Sequence, residues 1–179
     1  MALPPDEWVA LGEIARAHGV RGEVRVRLYN PDSDLLLEAD EVLVRLKDGE
    51  THEVSVDRAR RADDAILMKL YSVDDRDRAD ELRGATLSMK RGAFPAPLEG
   101  EFYHCDLIGA PVRLEAGDGA EPWGHVGGFR SYPAAETIVA RTARGELEVP
   151  LHDHFVVSID GDAGLVVVKN VELLEDTPS

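Results

Sequence analysis

Two short histidine-containing stretches of this sequence hold residue types that could bind a metal ion or take part in catalysis. His152 and His154 flank Asp153, and on a strand two side chains at this spacing share a face. A structural zinc site usually takes four cysteine or histidine ligands, and the chain has one cysteine, Cys105. We therefore predict no metal site at this pair and no cofactor for the protein.

The second stretch is His104-Cys105-Asp106. A cysteine beside a histidine can act as a nucleophile, but three consecutive side chains diverge in an extended chain. The sequence has no nucleophile elbow, phosphate-binding loop or dinucleotide fingerprint. We predict a protein with no catalytic residue, and an enzyme that uses His104, Asp106 or His152 is kept as the alternative.

Residues 18–23 (HGVRGE) join two predicted strands and lie among basic residues. Gly19 and Gly22 bracket a tight connection that favours positive φ. The arginines in or near this part of the sequence are Arg16, Arg21, Arg25, Arg27, Arg58, Arg60 and Arg61. We single out Arg21, Arg25 and Arg27 as candidates to face RNA phosphates, and a solvated strand face is the alternative explanation.

The adjacent aromatic residues Phe102 and Tyr103 are the candidate partner-binding pair. Neighbouring side chains at the start of a strand point to opposite faces. One ring can therefore enter the core while the other stays accessible, and accessible aromatic rings are favoured anchors at protein interfaces. The alternative is that both rings pack in the core.

Composition and charge narrow the class of protein. The chain has 179 residues, of which 44% are hydrophobic, and no apolar run approaches the ~20 residues of a membrane helix. The first residues do not resemble a signal peptide, and a single cysteine fits a reducing cytoplasm, so we expect a cytoplasmic protein.

The formal net charge of −15 is unevenly distributed. Residues 1–91 hold 15 basic and 20 acidic residues, whereas residues 92–179 hold 5 basic and 15 acidic ones. Such a chain is a poor general binder of nucleic acid. Its second half is better suited to a basic partner, such as a ribosomal protein, although acidity can also serve solubility alone.

Short alternating runs separated by turn residues predict an all-β protein. The predicted strands of the first half are residues 8–15, 23–28, 41–46, 52–57, 65–70 and 86–89. Those of the second half are residues 111–115, 125–131, 137–141, 146–150, 156–160 and 165–169. A surface helix, with Ser72 as a candidate cap and Gly84 as its stop, is predicted before residues 86–89.

The segment of residues 92–100 (GAFPAPLEG) is rich in proline and glycine and predicts an interdomain linker. We therefore expect two domains, residues 1–91 and residues 101–179.

A series of motifs runs along the chain in a fixed order. They are VALGEIARAHGVRGEVRV at residues 9–26, DRADELRGATLSM at 77–89 and EFYHCDLIGAPV at 101–112, followed by GHVGGF, LEVPL and FVVSID. Together these motifs resemble the ribosome maturation factor RimM family. Each motif is moderately specific, but their joint order covers residues 8–174.

This resemblance implies a fold and a role. The fold would be an N-terminal six-stranded barrel like that of translation factors and a C-terminal PRC-type barrel. The role would be non-enzymatic assembly of the small (30S) ribosomal subunit, in maturation of its head, the 3′ domain of 16S rRNA. The partners would be small ribosomal protein S-nineteen and the free subunit or its precursor.

The resemblance also places partner contact at Phe102 and Tyr103. The family often has two tyrosines there, so this chain offers a ring but no hydroxyl at its first position. A generic PRC-barrel adaptor that binds other proteins is the alternative to an assembly factor.

Overall fold

The structure is a computed structural model that describes residues 3–98, 100–116 and 121–175. The chain divides into two compact units between Pro95 and Ala96. This division falls within the segment predicted as a linker, and the predicted domain bounds of 1–91 and 101–179 stay a prediction.

The first unit is a closed barrel of six strands in the order β1-β2-β5-β4-β3-β6. The strands are β1 (Trp8–His18), β2 (Glu23–Leu28), β3 (Glu41–Arg45), β4 (Thr51–Ala62), β5 (Ala65–Leu70) and β6 (Thr86–Lys90). All of their pairings are antiparallel. The all-β prediction and the six-stranded barrel of this unit are confirmed.

Alternation of side chains explains how these strands close on a core. Val24 and Val26 of β2 are fully buried, as are Ile66 and Met68 opposite them on β5. The intervening residues of β2 point outward because successive side chains of a strand face opposite sides. The charged residues of the EVRVRL pattern therefore lie on the outer surface of the barrel.

Helix α1 (Arg76–Glu81) precedes β6, as predicted, but its cap differs from the prediction. The Asp75 side chain accepts a hydrogen bond from the Arg78 backbone N–H at 2.9 Å, which satisfies a donor left open by the first helical turn. Ser72 has a φ of 66° and lies outside the helix. The prediction of Ser72 as the cap was therefore wrong.

The second unit is built on a six-stranded sheet in the order β10-β9-β8-β7-β12-β11. Its strands are β7 (Pro111–Leu114), β8 (Gly124–Tyr132), β9 (Ala135–Thr142), β10 (Gly145–Pro150), β11 (Val156–Asp160) and β12 (Leu165–Val168). Only the β7–β12 pair is parallel among those described. The prediction of an all-β unit is confirmed here too, whereas the predicted PRC-type barrel describes this sheet only approximately.

Two short helices flank this sheet, α2 (His104–Leu107) and α3 (Glu172–Glu175). Phe102 and Tyr103 precede α2 in irregular backbone, so the prediction that they begin a strand was wrong. His152 and His154 lie in a turn between β10 and β11 rather than on a strand. No helix in the described residues is long and apolar enough to cross a membrane.

Candidate binding surfaces

The turn between β1 and β2 has the backbone geometry that its sequence predicts. Gly19 has a φ of 64° and Gly22 a φ of 75°, values that a glycine adopts without a Cβ penalty. A Cβ on Gly22 would lie 1.9 Å from the carbonyl oxygen of Val73. The turn is therefore held against the segment that leads into α1.

The three arginines predicted to face RNA differ in their surroundings. Arg25 forms an ion pair with Asp64 at 2.7 Å, and Arg27 lies 3.6 Å from Glu13. Arg21 is exposed at the tip of the turn and has no hydrogen-bond or ion-pair partner in the described structure. Arg21 is therefore the one of the three whose guanidinium is most open to a ligand.

Strand register extends this basic surface beyond the predicted residues. Arg16, Arg25, Leu67 and Arg60 form one row across β1, β2, β5 and β4. Glu23, Lys69 and Arg58 form the adjacent row on β2, β5 and β4. Because directly opposed side chains of neighbouring strands lie about 5 Å apart, the cations of four strands share one outer face.

At the start of the second unit, three rings form a cluster. The His104 imidazole stacks on Phe129 with centroids 3.9 Å apart and planes 8° from parallel. The ring of Phe102 lies 6.1 Å from that of Phe129 and also packs against the buried core of the sheet. The Nε2 atom of His104 lies 3.3 Å from a carboxylate oxygen of Glu136.

Tyr103 is half-buried and keeps extended backbone, with φ −91° and ψ 130°. Its carbonyl accepts a hydrogen bond from the backbone N–H of Asp106 at 3.0 Å, which fixes the start of α2. Phe102 is half-buried as well, so burial alone does not separate the two residues. Sequence reasoning missed Phe129, because it lies on β8 and only the fold brings it to this site.

A polar network lies on strands β8, β9 and β10 of the same unit. The Glu148 carboxylate accepts hydrogen bonds from the Tyr132 hydroxyl at 2.8 Å, from the Thr137 hydroxyl at 3.1 Å and from Arg130. These bonds, that of Tyr132 foremost, lower the pKa of Glu148. Its bond to Arg130 in turn raises the pKa of Arg130. This carboxylate is therefore held in its charged form.

The second histidine stretch is arranged as a local turn. The Nδ1 atom of His152 accepts a hydrogen bond from the backbone N–H of His154 at 3.1 Å. Within the described residues, no group of three or more His, Cys, Asp or Glu side chains is placed to hold a metal ion.

Together, these observations define an all-β protein of two units, with charged side chains on the outside of the first unit and a cluster of aromatic rings in the second. Residues 9–94 match the model of the RimM N-terminal domain. The chain belongs to the ribosome maturation factor RimM family.

Two relatives that match this chain over most of their own length show this membership. The chain is 42% identical to the ribosome maturation factor RimM of Sorangium cellulosum over 166 residues, which cover 92% of this chain and 96% of the relative. It is 35% identical to that of a Janthinobacterium species, over 92% of this chain and 95% of the relative. A crystal structure of a 16S ribosomal RNA processing protein RimM of Pseudomonas aeruginosa is 27% identical. That match covers 91% of this chain and 97% of the other, with a TM-score of 0.46.

Proposed function

We propose that this protein is a non-enzymatic assembly factor for the small ribosomal subunit in the cytoplasm. It assists maturation of the subunit head, the 3′ domain of 16S rRNA, by binding small ribosomal protein S-nineteen. The second unit holds the ribosomal protein, and the first unit faces the rRNA. Family membership supports the ribosomal role, and the surface chemistry of the two units supports the division of labour.

One observation carries the assignment of the protein partner. The aromatic cluster of Phe102, His104 and Phe129 lies beside the carboxylate of Glu136 in the acidic part of the chain. Residues 92–179 hold 15 acidic and 5 basic residues. An aromatic cluster beside a carboxylate, in an acidic part of the chain, suits a basic protein surface, because opposite charge speeds encounter and the rings supply contact area. Tyr103, which follows Phe102 of this cluster in the chain, is the residue we expect to make the principal partner contact, because a tyrosine hydroxyl suits the wet rim of an interface.

The mechanism is stabilisation by mass action. Binding S-nineteen in its assembly-competent conformation stabilises that conformation by RT ln(1 + [L]/Kd). The factor has to leave the finished subunit, so a moderate affinity serves this role better than an extreme one.

Burial and packing disfavour the alternative of an enzyme that uses His104 or Asp106. The Asp106 side chain is 4% exposed and so closed to a substrate. One face of the His104 ring is covered by Phe129. Both observations support a packing role around α2 for these side chains.

Titration of the purified protein with isolated S-nineteen tests the proposal. A second small-subunit protein of similar size and basicity serves as the control ligand. We expect S-nineteen to bind at least about tenfold more tightly, a difference of about 1.4 kcal/mol. Equal affinity for both ligands would support a generic adaptor, and failure to bind S-nineteen would overturn the proposal.

A further inference from the structure

We propose that the outer surface around the β1–β2 turn is an RNA-binding face in which Val20 is an apolar contact residue. We call it the hairpin face. It consists of Val20, Arg16, Arg21, Arg25, Arg58, Arg60 and Lys69. The inference rests on the proposed ribosomal function and specifies which residues of the first unit meet rRNA.

The tip of the turn exposes an apolar side chain in a well-anchored position. Val20 is 74% exposed, the highest value among the exposed large hydrophobic residues of the described structure. A single exposed apolar residue is ordinary on a protein surface, but this one is followed by Arg21, which has no described partner. The tip therefore presents an apolar group and a free cation side by side.

The turn is held by contacts that require no ligand. Gly22 lies against the carbonyl of Val73, where no larger residue fits. The Lys69 ammonium donates to that same carbonyl and lies 3.0 Å from a carboxylate oxygen of Asp74. Because the backbone around the tip is already ordered, binding would pay little conformational entropy there.

The charge of this face opposes that of the chain as a whole. It has six cationic side chains, and their ion-pair partners are three carboxylates, those of Glu23, Asp64 and Asp74. Arg58 and Arg60 share the single carboxylate of Glu23, each at 3.4 Å. Within these ion-paired groups the cations outnumber the carboxylates although the chain carries −15, and such an excess attracts a polyanion.

The positive charge of this face favours RNA over a basic protein as its ligand. Ribosomal proteins are repelled by a cationic surface, whereas RNA phosphates release bound counterions when they meet it. The shallow minor groove of an RNA helix also presents sugars and base edges at its surface. Val20 at the tip of the hairpin can pack against the carbon atoms of the riboses while the arginines contact phosphates.

The test uses the full-length protein and a transcript of the 3′ domain of 16S rRNA as the probe. The first variant replaces Arg16, Arg58 and Arg60 with Gln. Its matched control replaces Arg45, Lys47 and Arg83 with Gln, which changes the net charge by the same amount. These three residues lie outside the hairpin face, at the end of β3, just after β3 and just before β6. The second variant is Val20→Ser. Thermal unfolding is measured for each variant to verify folding.

We expect the first triple variant to bind the transcript more weakly and with a smaller salt dependence. The slope of log K against log salt should fall by about 0.9 for each lost duplex phosphate contact. Val20→Ser should weaken binding about fivefold without changing that slope. The control triple variant should keep a slope and an affinity close to those of the wild type.

Two results would overturn the proposal. One is equal effects of the two triple variants, which would make net charge the whole cause. The other is an unchanged affinity of Val20→Ser, which would remove the apolar contact. Binding of isolated S-nineteen, measured in parallel, reports separately on the proposed function, because the hairpin-face variants should leave it unchanged.

Discussion

The Cα of Gly22 approaches the carbonyl oxygen of Val73 so closely that a Cβ would lie 1.9 Å from this oxygen. This contact links the β1–β2 turn to the segment before α1. Asp75, the cap of α1, ends that segment. The contact therefore couples the position of the hairpin tip to the packing of the helix against the barrel.

Alanine at Gly22 should destabilise the first unit far more than alanine at Gly19. Both glycines have positive φ, but a Cβ on Gly19 meets no atom within 4 Å. We expect Gly19→Ala to lower the free energy of unfolding by about 1 kcal/mol and Gly22→Ala by about 3 kcal/mol or more. Chemical denaturation measures both, and equal losses would mean that the contact with Val73 relaxes freely.

Phe102→Ala and Tyr103→Ala should separate stability from affinity. Phe102 packs on the core of the second unit, so we expect Phe102→Ala to lower the melting temperature. Tyr103→Ala should keep it nearly intact and weaken binding of S-nineteen about thirtyfold, the effect of losing ~2 kcal/mol at an aromatic anchor.

Thermal unfolding and titration with S-nineteen are measured on both variants. Tyr29→Ala, which removes a tyrosine that is 55% exposed in the first unit, controls for loss of surface aromatic area. If Phe102→Ala and Tyr103→Ala both unfold early yet bind normally, the contact surface lies elsewhere on the second unit.

Glu148→Gln should destabilise the protein at neutral pH and have a smaller effect in acid. The pKa of Glu148 is lowered in the folded state, so its contribution is fully present above the unfolded carboxyl value of about 4.3. It is lost as the pH falls through the lower folded pKa. Melting temperatures of wild type and variant, measured between about pH 7 and 3, should therefore converge at low pH.

The matched control for this experiment is Glu146→Gln. Glu146 lies on the same strand, and its ion-pair partners among the described residues are Arg130 and Arg141, at 4.0 and 3.2 Å. Exposed ion pairs of this kind contribute little, so we expect a small change. A difference between wild type and Glu148→Gln that is constant with pH would contradict the assigned role of the carboxylate.

The association rate of S-nineteen should depend on salt. With 15 acidic and 5 basic residues in residues 92–179, electrostatic steering should act mainly on this rate. Between about 50 and 300 mM salt the Debye length falls from roughly 14 to 6 Å, and the rate constant should fall with it. Stopped-flow fluorescence measures this, and a rate constant that does not change with salt would remove steering from the account.

The sequence predicted the bounds of several strands correctly from short hydrophobic or alternating runs that end at turn residues. Glu23–Leu28, Ala65–Leu70 and Val156–Asp160 have the predicted bounds. By contrast, β4 continues to Ala62, well beyond the predicted end at Asp57. Its register shifts between Val56 and Arg58, and this bulge breaks the period of two on which the prediction depends.

The sites were less accessible to prediction because they depend on contacts distant in sequence. The stacking of His104 on Phe129 arises from the meeting of α2 with β8, and no local pattern indicates it. A single helical turn such as His104–Leu107 is also too short to show a 3.6-residue period. The arginine-rich turn was visible in the sequence, but the ion pairs of Arg25 and Arg27 were not.

The most direct test of the central claim uses small subunits reconstituted with and without S-nineteen. Co-sedimentation of the purified wild-type protein with each kind of particle measures its dissociation constant. We predict binding to particles that contain S-nineteen and binding weaker by about tenfold or more to particles that lack it. Equal binding to both particles would contradict the claim that this protein acts on the subunit through S-nineteen.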